Sequence, residues 1–155
     1  MIRHMRILLQ KVSRAAVSIE REVVGQIDEG FVLFVGIMQG DTEEEAIWLA
    51  NKVLGLRLFD GDKINDRSIQ DISGGILVIS QFTLAASVQK GNRPDYTAAA
   101  SPLEAEKLYD FLVQKLRAYD SMRVSTGRFG AHMLVELTNN GPVTIMLERS
   151  PSPVL

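Results

Sequence analysis

Five consecutive apolar residues, Phe31-Val32-Leu33-Phe34-Val35, lie between Gly30 and Gly36. A strand with one face in water alternates apolar with polar side chains, whereas an unbroken run of this length belongs to a strand covered on both faces. A chain holding such a strand must build layers on either side of it. Ile76 to Ile79 repeats the pattern and predicts a second buried strand.

The segments before the first run read as strands as well. Ile7-Leu8-Leu9 and Val12 are followed by rough alternation from Ala15 to Ile19 and then by Val23-Val24, with Gly25 and Asp28-Glu29-Gly30 as turns. Two helices follow from caps and periodicity. The first is expected to begin at Asp41, with Glu44 in the capping-box position and an apolar face of Ala46, Ile47, Ala50, Val53 and Leu54 ending at Gly55. The second begins at Ser101-Pro102 with Glu104 in the box position, and its face is Ala105, Leu108, Tyr109, Leu112, Val113 and Leu116. Two late strands, Met133 to Leu137 and Val143 to Leu147, flank Thr138-Asn139-Asn140-Gly141-Pro142. No repeat or linker divides the chain. The expectation is one α/β domain over residues 1–155, layered, with a mixed, barrel-like β-sheet and two main helices. Residues 1–4 are read as an N-terminal extension and 149–155 as an extended tail.

Composition narrows the partners. The chain has 155 residues, 46% hydrophobic and 23% charged, an ordinary globular balance. Seventeen basic and nineteen acidic side chains give a net charge of −2, and the acidic excess falls within residues 31–75. Such a chain lacks the broad basic field of a non-specific nucleic-acid binder, so any RNA would be met through a small patch or at one end. With no cysteine, disulfides, thiolate metal sites and a cysteine nucleophile are excluded. No apolar run reaches the length of a membrane span, and the N-terminal residues carry no secretory core. A cytoplasmic protein is expected.

Chemistry has few places to reside. There are two histidines, His4 and His132, and neither sits in a recognisable catalytic or metal-binding motif. The turn Asp60-Gly61-Asp62-Lys63-Ile64-Asn65-Asp66 suggests a calcium loop, but Ile64 occupies the fifth-ligand place and Asn65 the required glycine, so a polar turn is expected. Neither metal nor cofactor is anticipated. Ser80-Gln81-Phe82-Thr83-Leu84 follows a buried strand and sets hydroxyl and amide groups beside main-chain N–H groups. It is either a polar strand end or a binding edge. Asn139-Asn140-Gly141-Pro142-Val143-Thr144 reads as a turn, or as a fixed carbonyl elbow if its X-Pro bond is cis.

Together, SQFTL at 80–84 and NNGPVT at 139–144 resemble the paired signatures of the D-aminoacyl-tRNA deacylase family. The similarity continues through Gln10-Lys11-Val12, Arg57-Leu58-Phe59-Asp60, Gly91-Asn92-Arg93-Pro94 and Thr126-Gly127-Arg128-Phe129-Gly130-Ala131, from about Met5 to Leu147. The resemblance implies a homodimer whose sites lie at the subunit interface. Each site would take SQFTL from one protomer and a cis Gly141-Pro142 from the other, whose carbonyls crowd the place of an L-side chain while D-aminoacyl and glycyl esters fit. The partner implied is the 3′ end of aminoacyl-tRNA, without membrane or metal. Gln81, Phe82 and Thr83 are the implied catalytic residues; Ser80, Met133, Asn139, Gly141, Pro142, Val143 and Thr144 are the implied substrate-binding residues.

Two positions depart from the family pattern. Lys11 stands where arginine is usual, without the planar fork that would brace the Gly–Pro segment. Asp95-Tyr96 replaces Ser-Phe, a change expected to be tolerated. As to mechanism, a threonine hydroxyl is a weak nucleophile unless a base takes its proton, and no basic partner for Thr83 is evident. Main-chain N–H groups around Gln81, Phe82 and Thr83 are expected to hold the oxyanion, with the ribose 2′-hydroxyl directing water. The rival readings are an RNA-end-binding module without turnover and a general small-ester hydrolase.

Overall fold

The computed structural model describes residues 4–119 and 122–149. Of the expected extension over residues 1–4 and tail over 149–155, residues 1–3 and 150–155 lie outside the described residues, and Arg149 belongs to the last described strand, paired with Met5.

Strand β1 (Met5–Ile19) is the hub of the sheet. It pairs antiparallel with β2 (Glu22–Ile27) through its second half and with β3 (Gly30–Gly36) through its first. Helix α1 (Glu43–Gly55) and a small antiparallel pair, β4 (Arg57–Phe59) and β5 (Arg67–Ser68), follow. Strand β6 (Gly75–Ser80) then lies parallel to β3. A 3-10 helix (Phe82–Ala85), helix α2 (Pro102–Arg117) and strand β7 (Arg123–Thr126) come next, β7 running parallel to β6. The last strand, β8 (Leu134–Arg149), returns antiparallel to β1 along nearly its whole length. The order β2-β1-β3-β6-β7 curls so that its rims meet, Ser125 Oγ donating to the Gln26 carbonyl at 3.3 Å. The mixed, barrel-like sheet with two helices is thus present.

The two apolar runs behave as their composition requires. Phe31, Leu33 and Val35 of β3 and Ile76 and Val78 of β6 face a core shared with both helices. Val32, Leu77 and Ile79 face the opposite core, with Val12, Ala15, Val17 and Ile27. Strand β1 feeds both cores: Met5, Ile7 and Leu9 point to the first, and Val12, Ala15 and Val17 to the second. Strict alternation would put Val12 and Ala15 on opposite faces. The register against β8 shifts between Val12 and Arg14, and this irregularity restores the match. Buried Tyr109 ties α2 to the sheet, its hydroxyl donating to the Val78 carbonyl at 2.9 Å.

Helix α2 starts as expected, with the Ser101 hydroxyl accepting from the Glu104 N–H. Helix α1 differs by one residue. Its N-cap is Thr42, and buried Glu45 closes the capping box by accepting from the Thr42 N–H. Asp41 is already engaged, accepting from the Met38 N–H at 2.6 Å in the preceding turn. The residue pair Thr42 and Glu45 has the S/T-x-x-E spacing, and the expected box at Asp41 and Glu44 is displaced by it. Asp60 and Asp66 accept main-chain N–H groups of Asn65 and Asp62, as a polar turn requires.

The late strands also correct the sequence reading. Residues 134–149 form one strand, and the Asn-Asn-Gly-Pro segment is a bulge within it rather than a turn between two. Thr144 pairs with Gln10 and Asn139 with Val12, so residues 140–143 stand opposite Lys11 alone. Strand pairing persists on both sides because the extra residues are extruded from the ladder.

Candidate active site

Ser80 ends β6, paired with Val35 of β3. The chain then leaves the sheet at Gln81, whose N–H donates to the Val35 carbonyl at 2.8 Å. The 3-10 helix starts at once, closed by Leu84 N–H to Gln81 carbonyl and Ala86 N–H to Thr83 carbonyl contacts of 3.1 and 3.0 Å. The first N–H groups of such a turn have no partner within it. Of the three N–H groups expected to face a substrate, that of Gln81 is therefore spent on the sheet. Those of Phe82 and Thr83 head the turn.

The side chain of Thr83 accepts from the Gln81 amide, whose Nε2 donates to Thr83 Oγ1. An amide N–H cannot take a proton, so this contact orients the hydroxyl without activating it. Among the described residues, no histidine, lysine or carboxylate is hydrogen-bonded to Thr83. The ring of Phe82 is 56% exposed and meets Tyr96 edge to face at 5.3 Å. Met133 packs against the core formed by Val32, Leu77 and Ile79. It lies against Gly127, a position that also faces Ile79, the residue before Ser80.

Two residues that place this segment went unnoticed in the sequence. Arg6 of β1 donates through Nη1 to the Leu84 carbonyl at 2.7 Å, while its Nε lies 3.2 Å from Glu148 of β8. Gly36, at the end of β3, lets the 3-10 helix lie on the sheet: a Cβ there would come within 2.8 Å of Leu84 Cβ and 3.2 Å of the Gln81 carbonyl oxygen. The available signals were a lone arginine between buried Met5 and Ile7, and a glycine closing the apolar run.

The second candidate segment is assembled separately. Asn139 Nδ2 and Gln10 Nε2 both donate to Thr144 Oγ1, at 2.8 and 3.2 Å, and the Val143 N–H donates to Asn139 Oδ1 at 3.3 Å. These contacts pin the base of the bulge. Gly141 has φ +138°, the Gly141-Pro142 bond is cis, and both residues are exposed. Lys11 does not brace the bulge with its charge; its Nζ lies 5.0 Å from the centre of the Phe59 ring.

Within one chain the two segments do not meet. The bulge stands at the level of Lys11, which pairs with Phe31, which pairs with Ile76. It is thus three strands across from β6 and four residues short of Ser80, about 14 Å across the sheet and about 13 Å along it by ordinary strand spacing. Ser80, Gln81, Phe82 and Thr83 gather at one place, while Met133 lies on the core that Ile79 faces. Asn139, Gly141, Pro142, Val143 and Thr144 gather at another. Among the described residues no cluster of His, Asp or Glu is arranged to hold a metal ion, and no helix is long and apolar enough to cross a membrane.

Comparison with known proteins gives this arrangement a family. Residues 8–148 match the family model described as D-Tyr-tRNA(Tyr) deacylase. A protein of Exiguobacterium sp. named D-aminoacyl-tRNA deacylase is 55% identical, covering 94% of this chain and 99% of its own. Proteins of the same name from Phocaeicola vulgatus and Thermosipho melanesiensis are 50% and 43% identical, each covering 93% of this chain and 97% of its own. Among solved structures, one named c-Myc DNA Unwinding Element Binding Protein superposes with a TM-score of 0.84 at 36% identity, over 96% of this chain and 99% of that one. Another, described as a probable eukaryotic D-amino acid tRNA deacylase, shares the fold at a TM-score of 0.81 and 18% identity, over 94% of this chain and all of that one. The chain belongs to the D-aminoacyl-tRNA deacylase family, hydrolases that act on the ester bonds of aminoacyl-tRNA.

Proposed function

We propose that this protein hydrolyses the ester joining a D-amino acid or glycine to the terminal ribose of tRNA, rejects the L-ester, and does so in the cytoplasm as a homodimer. The observation that carries the reading is the separation of the two signature segments. The turn at Ser80–Thr83 has no Gly141-Pro142 wall of its own, and the exposed bulge is left available to a second copy.

Strand β8 supports the dimer. Among the described residues it pairs with β1 only, so its other edge offers unpaired main-chain groups. Its inward residues Val135, Leu137, Val143, Ile145 and Leu147 pack on the two cores yet are only partly buried. A second copy laid against this strand would cover both the edge and the stripe.

In the reaction, the N–H groups of Phe82 and Thr83 hold the developing oxyanion, where loss of one donor typically costs about 10²–10³ in rate. Thr83, held by Gln81 and lacking a base, positions the ester. The neighbouring ribose 2′-hydroxyl directs the attacking water. Asn139 and Thr144 hold the bulge so that the partner's copy of Gly141-Pro142 excludes the L-side chain by main-chain bulk.

Single-turnover hydrolysis of D- and L-tyrosyl-tRNA tests the reading. Release of D-tyrosine with the L-ester spared is expected. Thr83→Ala should retain much of the rate, and a tRNA ending in 2′-deoxyadenosine should be nearly inert. Binding without release would identify an RNA-end-binding module, and turnover of simple esters lacking adenosine a general esterase. Loss of all activity in Thr83→Ala, with normal turnover of the deoxy substrate, would make Thr83 the nucleophile.

A further inference from the structure

The segment after the 3-10 helix carries features that the reaction above does not use. Ser87 and Asp95 exchange both main-chain hydrogen bonds, at 2.8 and 2.9 Å, and so close an exposed loop at its base. Within residues 81–103 the charged side chains are Lys90, Arg93 and Asp95. Asp95 is engaged, its Oδ1 accepting from both the N–H and the hydroxyl of Thr97 at 2.8 Å. Lys90 and Arg93 are exposed, and no described residue pairs with either. This stretch is therefore net positive on a chain of net charge −2.

The loop is joined to the candidate site by aromatic contact. Tyr96, next to the loop's closing residue, is 39% exposed and meets Phe82, so a pair of accessible rings connects the Thr83 turn with the base of the loop that carries the two cations. Accessible rings beside unpaired cations are what a single-stranded nucleic acid needs, since bases stack on the rings and phosphates follow the charges. A folded core has no use for either feature at these exposures. A tRNA arrives at the ester through its unpaired 3′ nucleotides, and the chain has no wide basic field to hold the rest.

We propose that the Phe82–Tyr96 ring pair and the Lys90–Arg93 loop form a seat for the single-stranded RNA immediately upstream of the terminal nucleotide. The proposal rests on the deacylase reading, whose substrate supplies that strand. The seat acts on binding of the RNA and leaves the ester chemistry to the turn at Phe82 and Thr83. Asp95 and Tyr96 then act together, the first holding the loop's exit and the second offering a face to a base.

The test compares D-tyrosyl-tRNA with the D-tyrosyl ester of adenosine, which lacks upstream nucleotides. In Lys90→Gln/Arg93→Gln, KM for D-tyrosyl-tRNA should rise about tenfold or more, with kcat within about twofold. The slope of log(kcat/KM) against log[salt] should flatten by about 0.7 for each phosphate that is no longer neutralised. Tyr96→Ala should raise KM for the tRNA by about tenfold without changing that slope. All variants should hydrolyse the adenosine ester as the parent does. An unchanged KM for the tRNA, or an equal loss on both substrates, would overturn the seat while leaving the deacylase reading intact. If the parent protein hydrolyses neither D-ester, the deacylase reading fails and the seat falls with it.

Discussion

The guanidinium of Arg6 donates to the Leu84 carbonyl at 2.7 Å and lies 3.2 Å from the Glu148 carboxylate, so one side chain joins the site-bearing turn to both the first strand and the last. The Nη1 group makes the hydrogen bond to the carbonyl, while Nε meets Glu148 through charge alone, without a hydrogen-bond partner among the described residues, and an ammonium cannot match the planar aim of this fork. Arg6→Lys should fold with a melting temperature within a few degrees of the parent yet lose about tenfold in kcat/KM, and Arg6→Ala about a hundredfold. Steady-state kinetics on D-tyrosyl-tRNA check this, and parental rates in both variants would remove Arg6 from the positioning of the turn.

Gly36 makes a second, independent prediction about the same turn. A methyl group there meets Leu84 Cβ and the Gln81 carbonyl oxygen, both of which belong to the turn itself. Relief requires the 3-10 helix to lift off the sheet. Gly36→Ala should therefore reduce kcat at least tenfold, because displacements of about 1 Å in a positioned site can cost about a hundredfold. Rate measurements paired with thermal denaturation separate this from simple unfolding.

Asp41 sets a pH dependence. Burial, the largest cause, together with repulsion from Glu45 raises its pKa to about 6 against the lowering effect of the Met38 and Met5 N–H groups. Its second oxygen, Oδ1, is buried without a hydrogen-bond partner among the described residues. A raised carboxyl pKa means that the folded chain holds the proton more tightly than the unfolded one. This contribution is fully present below about pH 4 and is lost as pH rises through 6. Asp41→Asn should remove the slope, gaining about 1 kcal/mol over the parent at pH 7 once solvent screening of a partly exposed group is allowed for. The reverse trend applies to Asp71 and Asp95, whose pKa values are lowered chiefly by main-chain N–H groups of Ser68 and Thr97. Their contribution fades at pH values below the usual aspartate range. Urea titrations of parent and variant at pH 4 and pH 7 isolate the Asp41 component.

Gly141 has a main-chain conformation that side chains rarely adopt, and a Cβ there would meet Val143 Cγ2 at 2.9 Å. Gly141→Ala should redirect the bulge while sparing the pinned pair Asn139 and Thr144. The ratio of D- to L-tyrosyl-tRNA hydrolysis should fall at least tenfold in a protein that still elutes as the parent does. An unchanged ratio would count against the bulge as the element that discriminates hand.

Strong local patterns were legible in the letters. The buried strands around Leu33 and Val78 and the Ser101 cap each follow from side chains within a few residues of one another. The cap at Thr42 was missed because two adjacent residues, Asp41 and Thr42, both suit the role, and the choice depends on which is already used by Met38. The bulge at residues 140–143 was missed as a bulge because Gly–Pro terminates most strands; here pairing with β1 resumes beyond it, a long-range fact. The signature segments themselves were visible, yet their separation across three strands was not, since it depends on sheet order. Arg6 acts on a carbonyl 78 residues away, and no local pattern announces such a contact.

Strand β1 takes hydrogen bonds from β2 and β3, which follow it closely, and from β8, which comes last. On the ribosome β1 must therefore wait with one side unsatisfied until the sixteen-residue β8 has cleared the exit tunnel. At roughly 5–20 residues per second this leaves the nascent chain several seconds in which its longest ladder cannot close. The longest ladder of the sheet is therefore the one whose two strands are made furthest apart in time.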